Sequence, residues 1–232
     1  SLTSLRWFAA TAVFLHHAHA GLGLSRQGAT GVSFFFILSG FVLSWASTGP
    51  MESRAFYWRR FARVWPAFIV TSSIAIGIYV AIGAVRGRSD LVAAVFSLTL
   101  LQSWVPSQQI NFGGNGVAWS LSDEVFFYAV FPLVFIPAAR VRDRGLEGLG
   151  VLVTLTAVAM PFLVRPTSPT SLGYWFTYIN PSVRVLEFLL GAILGILVQR
   201  GALPRVPVGP AAALAASAYL LAGRVPDVVP GP

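Results

Sequence analysis

The chain has 232 residues and a formal net charge of +8, yet only 10% of its residues are charged while 56% are hydrophobic. Soluble domains carry about 25% charged residues, so this composition excludes a water-soluble globule and points to a membrane protein. All sixteen basic residues are arginine and cysteine is absent, which excludes disulfides, thiolate nucleophiles, cysteine-held metals and lysine nucleophiles together.

A helix needs about 20 apolar residues to cross a bilayer. Taken in chain order, the low-charge windows are residues 2–20, 30–47, 64–85, 91–104, 118–139, 149–164, 181–198 and 210–222. They predict an all-α, polytopic membrane helix bundle with seven or eight transmembrane segments. Residues 91–104 are short for a crossing and read as re-entrant or interfacial. Residues 105–117, rich in Gly, Asn and Gln, read as a loop. The chain is expected to form a single membrane domain over 1–232. Because it opens on Ser1 and stops at Gly231-Pro232 just after an apolar run, it also reads as a fragment truncated at the C-terminus. Arg6, the following apolar run and Ala18-His19-Ala20 mimic a secretory signal, but His16 and His17 interrupt the run and argue against one.

Arginine placement sets the expected orientation, since cytoplasmic loops carry the excess of positive charge. Arg54, Arg59, Arg60 and Arg63 precede the third window, and Arg140, Arg142 and Arg144 follow the fifth. Both clusters lie inside only if residues 91–104 do not cross fully. Arg200 and Arg205 then also fall inside, with Arg26, Arg86, Arg88, Arg165 and Arg224 outside. In a soluble protein so basic a chain would suggest nucleic acid. Here the arginines lie between apolar runs, where topology and anionic lipid explain them, and no nucleic-acid partner is expected.

Ionisable groups within spans cost at least about 2.5 kcal/mol each by insertion scales, so each asks for a reason. Arg6 and His17 are eleven residues apart, which on a helix is three turns plus about 20°, or about 16 Å along one face. A lone intramembrane histidine is commonly a hydrogen bond between helices, but a basic residue on the same stripe favours a functional pair. The His16-His17-Ala18-His19 run places only His16 and His19 on a common helix face, and with no other histidine in the chain no metal site is expected. Arg60 and Arg63 project from one helix face and are either an interfacial anchor or a clamp for phosphate. Trp119-Ser120-Leu121-Ser122-Asp123-Glu124 predicts a helix start capped by Ser120, with Asp123 as the capping acid and Glu124 turned into the bundle. Before it, the glycines of residues 111–116 let backbone approach a ligand closely. Arg184 and Glu187, three apart, can pair on one helix.

Together these residues resemble the acyltransferase-3 family of integral membrane O-acyltransferases. Leu5-Arg6, Ala9-Ala10 and His17 are similar to its opening motif, and Gly31-Val32-Ser33-Phe34-Phe35-Phe36-Ile37-Leu38-Ser39-Gly40-Phe41 to its second-span signature. Arg60, Arg63 and Pro66 resemble its Arg-x-x-Arg segment. Trp119, Ser120, Ser122, Glu124, Phe127 and Tyr128 resemble its acidic motif, and Arg184, Glu187, Phe188 and Gly191 a later helix. Ser33 stands where many relatives carry an acid, and Val125 where some carry a second Glu, differences that bear on the acceptor more than on the reaction.

The resemblance implies transfer of an acyl group, acetyl in the first instance, from acyl-CoA to a hydroxyl of a glycan or glycosylated metabolite. This is the chemistry of O-acetylation in polysaccharide modification, by a multi-pass enzyme of the bacterial cell membrane. His17 is then the expected general base on the acceptor hydroxyl, with Glu124 orienting it or binding the acceptor. Arg6, Arg60 and Arg63 are expected to bind the donor, and Trp119, Ser122, Tyr128, Arg184 and Glu187 to bind substrate or support the site. No permanently bound cofactor is implied: acetyl-CoA is a co-substrate, and direct attack by the hydroxyl is simpler than an acyl-enzyme in a chain without Cys or Lys. The alternative is a membrane transporter or flippase whose His, Glu and Arg line a pathway, though the sequence shows no internal symmetry.

Overall fold

In a computed structural model, residues 28–47, 51–85 and 87–204 are described, together with isolated positions 11, 209 and 217. His17 and Arg6, and the windows at 2–20 and 210–222, lie outside the described residues. All regular structure among the described residues is helical, as lipid demands of any open chain that must satisfy every backbone N–H and C=O internally. The main helices are α1 (Gly28–Ala46), α2 (Ser53–Ala81), α3 (Arg88–Leu98), α4 (Gln108–Phe112), α5 (Trp119–Ala138), α6 (Asp143–Val164) and α7 (Pro181–Gln199), of which α3 and α4 are short.

The expected seven or eight crossings are not reached among the described residues. Four helical stretches have the length and hydropathy to span: Ser53–Ala81, Gly116–Ala138, Asp143–Val164 and Leu172–Gln199. Gly31–Ala46 is a shorter apolar helix. Residues 91–104 make no full crossing, as their length predicts, because α3 has 11 residues and so covers only about 16 Å. A further correction concerns α2: it starts at Ser53 rather than near residue 64, so Arg54, Arg59, Arg60 and Arg63 stand on the helix itself. Nothing in residues 53–63 breaks a helix, and Pro66 sits inside it, as prolines do in membrane helices whose neighbours satisfy the freed carbonyl.

The chain divides into two compact units, one of residues 1–48, 141–165 and 186–232 and the other of residues 49–140 and 166–185. In the first, α1 and the C-terminal part of α7 run parallel in close contact. A Cβ on Gly40 would lie 2.0 Å from the Phe188 carbonyl oxygen, one on Gly191 1.8 Å from that of Ile37, and one on Gly195 2.7 Å from that of Phe41. Gly191 and Gly195 are four apart, the spacing by which membrane helices bring backbones together when lipid offers no hydrophobic drive for association. The Gln199 side chain closes this contact by donating to the Ser44 carbonyl, 3.0 Å away, and to that of Trp45. Antiparallel to α7 lies α6, where Asp143 meets Arg200 at 2.8 Å and Arg200 also donates to the Val141 carbonyl.

In the second unit, α2 and α5 are antiparallel. Phe56 stacks on Phe131, while at the other end Phe68 packs with Leu100 and Ala118, flanked by Leu121 and Val125. Residues 99–118 run through short helical turns and loops, and buried polar side chains join the backbone in satisfying carbonyls there and at the start of α5. Ser122 donates to the Leu100 carbonyl (2.6 Å), Gln102 to that of Ala118 (3.0 Å), and Asn111 to those of Gln102 and Val105. Ser103 donates to the carbonyl of Trp119 at 2.8 Å, and its own carbonyl accepts from the Trp175 indole at 3.0 Å. Non-helical backbone survives at membrane depth only with such partners around it.

Candidate functional site

The predicted cap at Ser120 is not formed. A 3-10 turn, Gly116–Ala118, runs straight into α5, whose cap position is Ala118 with no side-chain hydrogen bond. This shift moves the acids two residues deeper into the helix. Asp123, expected at the surface as a capping acid, is fully buried, and Glu124 lies half-buried on the neighbouring face, where it accepts a hydrogen bond from the Tyr128 hydroxyl one turn on. Both carboxylates therefore belong to the interior of this unit.

Tyr128 connects α5 to α2. The Arg60 guanidinium stands over the Tyr128 ring, 5.8 Å from its centroid, and 5.7 Å from that of Phe56 on its own helix. Phe56 and Phe131 stack at 5.4 Å and Phe131 and Phe135 at 5.0 Å, so a column of rings backs the cation. Tyr57 fixes the register by donating to the Ala129 carbonyl at 3.0 Å. The Arg60 Nε is buried and makes no hydrogen bond among the described residues. Arg63 is exposed. The three-residue spacing thus yields one guanidinium held against rings and one reaching outward, rather than two side by side.

A second cation lies at the start of α7. Arg184 is 6% exposed and its guanidinium sits 5.3 Å from the centroid of Tyr178. Tyr178 also meets Trp119 at 5.2 Å and Tyr174 at 5.1 Å. The segment bearing these tyrosines, residues 172–179, contains a π turn over Trp175–Ile179, a distortion frequent at functional sites. Trp119 is thereby brought to Arg184 through Tyr178, and Ser122 is occupied with the Leu100 carbonyl. Glu187 is half-buried one turn beyond Arg184 on the same helix. Among the described residues no group of three His, Asp, Glu or Cys is gathered as metal ligands.

Tyr174 and Tyr178, and the buried amides Gln102 and Asn111, did not stand out in the sequence. Aromatic residues are plentiful here, and an isolated amide in a Gly-rich segment looks like loop. Both tyrosines gather on the same cluster, in contact with each other and with Arg184 and Trp119 through Tyr178.

Comparison with known proteins bears on this arrangement. The acyltransferase domain profile of the acyltransferase-3 type matches residues 1–228. The chain belongs to the acyltransferase-3 family. Acyltransferase MdmB of Streptomyces mycarofaciens is 34% identical over 250 residues, a match covering 98% of this chain and 65% of that protein. O-acetyltransferase OatA of Staphylococcus aureus (strain NCTC 8325 / PS 47) is 26% identical over 213 residues, covering 84% of this chain and 34% of OatA. The chain thus spans less than two thirds of the length of either relative. No solved structure matches. In this acyltransferase-3 domain the arginine, the tyrosine and the acid that carry the family resemblance on α2 and α5 are in contact or hydrogen-bonded in sequence, Arg60 to Tyr128 to Glu124.

Proposed function

We propose that the protein is a membrane O-acyltransferase that moves an acetyl group from acetyl-CoA to a hydroxyl of a glycan or glycosylated metabolite. The observation that carries this reading is the family match over residues 1–228, which includes His17, Arg60, Arg63 and Glu124. The names of MdmB and OatA, an acyltransferase and an O-acetyltransferase, support the same class.

In this proposal His17 removes the proton from the acceptor hydroxyl as its oxygen attacks the thioester carbonyl, and the coenzyme A thiolate leaves. Imidazole suits that role because its ordinary pKa lies close to neutral pH. Glu124, already accepting from Tyr128, binds the acceptor or orients the base. Arg60 and Arg63 hold the donor phosphates, with Arg6 near the same membrane face.

The direct test incubates the full-length protein with labelled acetyl-CoA and a glycan extract. Labelled product from wild type, reduced about 10²–10⁴-fold in His17→Ala, is the expected result for a general base. Movement of intact substrate across vesicles without acyl transfer overturns the reading in favour of a transporter. Arg60→Ala and Arg63→Ala are expected to weaken coenzyme A binding with little loss of folded protein. Equal loss of both quantities makes the arginines anchors.

A further inference from the structure

The Gly-rich segment before α5 takes no part in the chemistry above, yet it lines a separate cavity of about 120 Å³ within the second unit. The cavity is formed where the C-terminal end of α2 meets α3 and α4. Its floor is Ala93 with Gly113 and Gly114, and its rim carries Tyr79, Asp90 and Gln109. The floor depends on glycine: a Cβ on Gly113 would stand 2.5 Å from both the Ala93 methyl and the Gln109 carbonyl oxygen, and Gly114 has φ +67°. The rim is held in place. Gln109 donates to Asp90 Oδ1 at 3.1 Å, and the backbone N–H of Gly87 donates to Asp90 Oδ2 at 3.2 Å. This leaves the Gln109 amide oxygen as an acceptor and the Tyr79 hydroxyl as donor or acceptor, beside an uncharged floor.

The chemistry narrows the occupant. A space of this size holds about four waters, too little for a whole sugar ring but enough for an edge bearing one or two hydroxyls. Among the described lining residues the rim offers a carboxylate, an amide and a phenol, which hydrogen-bond hydroxyls, and no cation, which favours hydroxyls over phosphate or carboxylate ligands. Asp90 alone among the rim residues is acidic, too few anionic ligands for a divalent metal. Tyr79 lies 19 residues beyond Arg60 on the same helix, which is about 28 Å and close to the hydrocarbon thickness of a bilayer. The cavity therefore stands at the membrane face opposite the arginines.

We propose that this cavity is a subsite for the hydroxyl-rich acceptor, engaging a sugar edge through Tyr79, Asp90 and Gln109 at the face opposite the donor arginines. The assignment of its occupant as acceptor rests on the acyl-transfer reading. Tyr79→Phe and Gln109→Leu remove one polar group each at exposed positions and so leave the fold intact. Asp90 is left unchanged because it also caps α3.

The test uses the full-length protein in detergent with methyl glycosides of glucose, galactose and N-acetylglucosamine as probes, followed by saturation-transfer NMR. Acetyl transfer from labelled acetyl-CoA to the same glycosides is measured in parallel. Wild type is expected to bind at least one glycoside. The double variant is expected to lose that signal, its affinity for the glycoside falling about tenfold, the weight of one or two hydrogen bonds, with acetyl-CoA affinity and thermal stability unchanged. A wild type that binds no glycoside, or variants that bind and react as wild type does, overturn the subsite and leave acyl transfer standing. Glycoside binding lost in the variants, with no acyl transfer by any form, keeps the cavity as a sugar site and overturns the acyl-transfer reading instead.

Discussion

Tyr128 is the residue on which the described site turns, because its ring and its hydroxyl do different things. The ring takes the Arg60 cation and the hydroxyl donates to Glu124. Tyr128→Phe keeps the first and removes the second. Its folded yield should match wild type, while acyl transfer at saturating substrate should fall about tenfold, the weight of a hydrogen bond to a charged group. An unchanged kcat would make the Tyr128 hydroxyl a packing detail. Glu124 and Arg60 were readable in the sequence because charge in an apolar run is costly. That Asp123 rather than Glu124 is the fully buried acid was not readable, since adjacent residues differ by about 100° around a helix and the phase was set by the 3-10 turn before α5.

At the scale of elements, two devices hold irregular or tightly packed backbone in place. Around residues 99–119, the carbonyls of Leu100, Gln102, Ala118 and Trp119 accept from the buried side chains of Ser122, Asn111, Gln102 and Ser103. Ser122→Ala leaves unpaired the carbonyl of Leu100, a residue whose own φ is +56°, and should cost about 1–3 kcal/mol, read as a lowered midpoint of thermal unfolding in detergent. The contact of α1 with α7 depends on missing side chains. Gly191→Ala drives a methyl into the Ile37 carbonyl and should lower stability by about 1–3 kcal/mol, whereas Gly148→Ala on α6, with nothing within 4 Å of its Cβ, should be neutral or slightly stabilising. Equal effects of the two alanines would disprove the close approach. Gly191 was legible as part of a family-like helix, but its partner was not, because a glycine announces a close approach without saying to what.

For the whole molecule, the arginine distribution predicts orientation, and the Arg200 contacts to Asp143 and to the Val141 carbonyl put the end of α7 beside the start of α6, as that distribution requires. The exposed pair itself contributes little, about 0–1 kcal/mol, and its value is topological. The cysteine-free chain makes this testable: single cysteines at Arg142, Arg200 and Arg88 should label with a membrane-impermeant maleimide, the first two from the same side and the third from the other. Labelling of Arg142→Cys and Arg88→Cys from one side would invert the arrangement. Composition, charge placement and hydropathy were enough to determine a helical membrane protein and to mark Arg60, Glu124 and Arg184 as costly groups, because desolvation of charge and of backbone is a local quantity that each residue carries with it. Which rings receive the arginines and which acid is buried were decided only in three dimensions, because they depend on helix phase and on partners far along the chain, which no local pattern encodes.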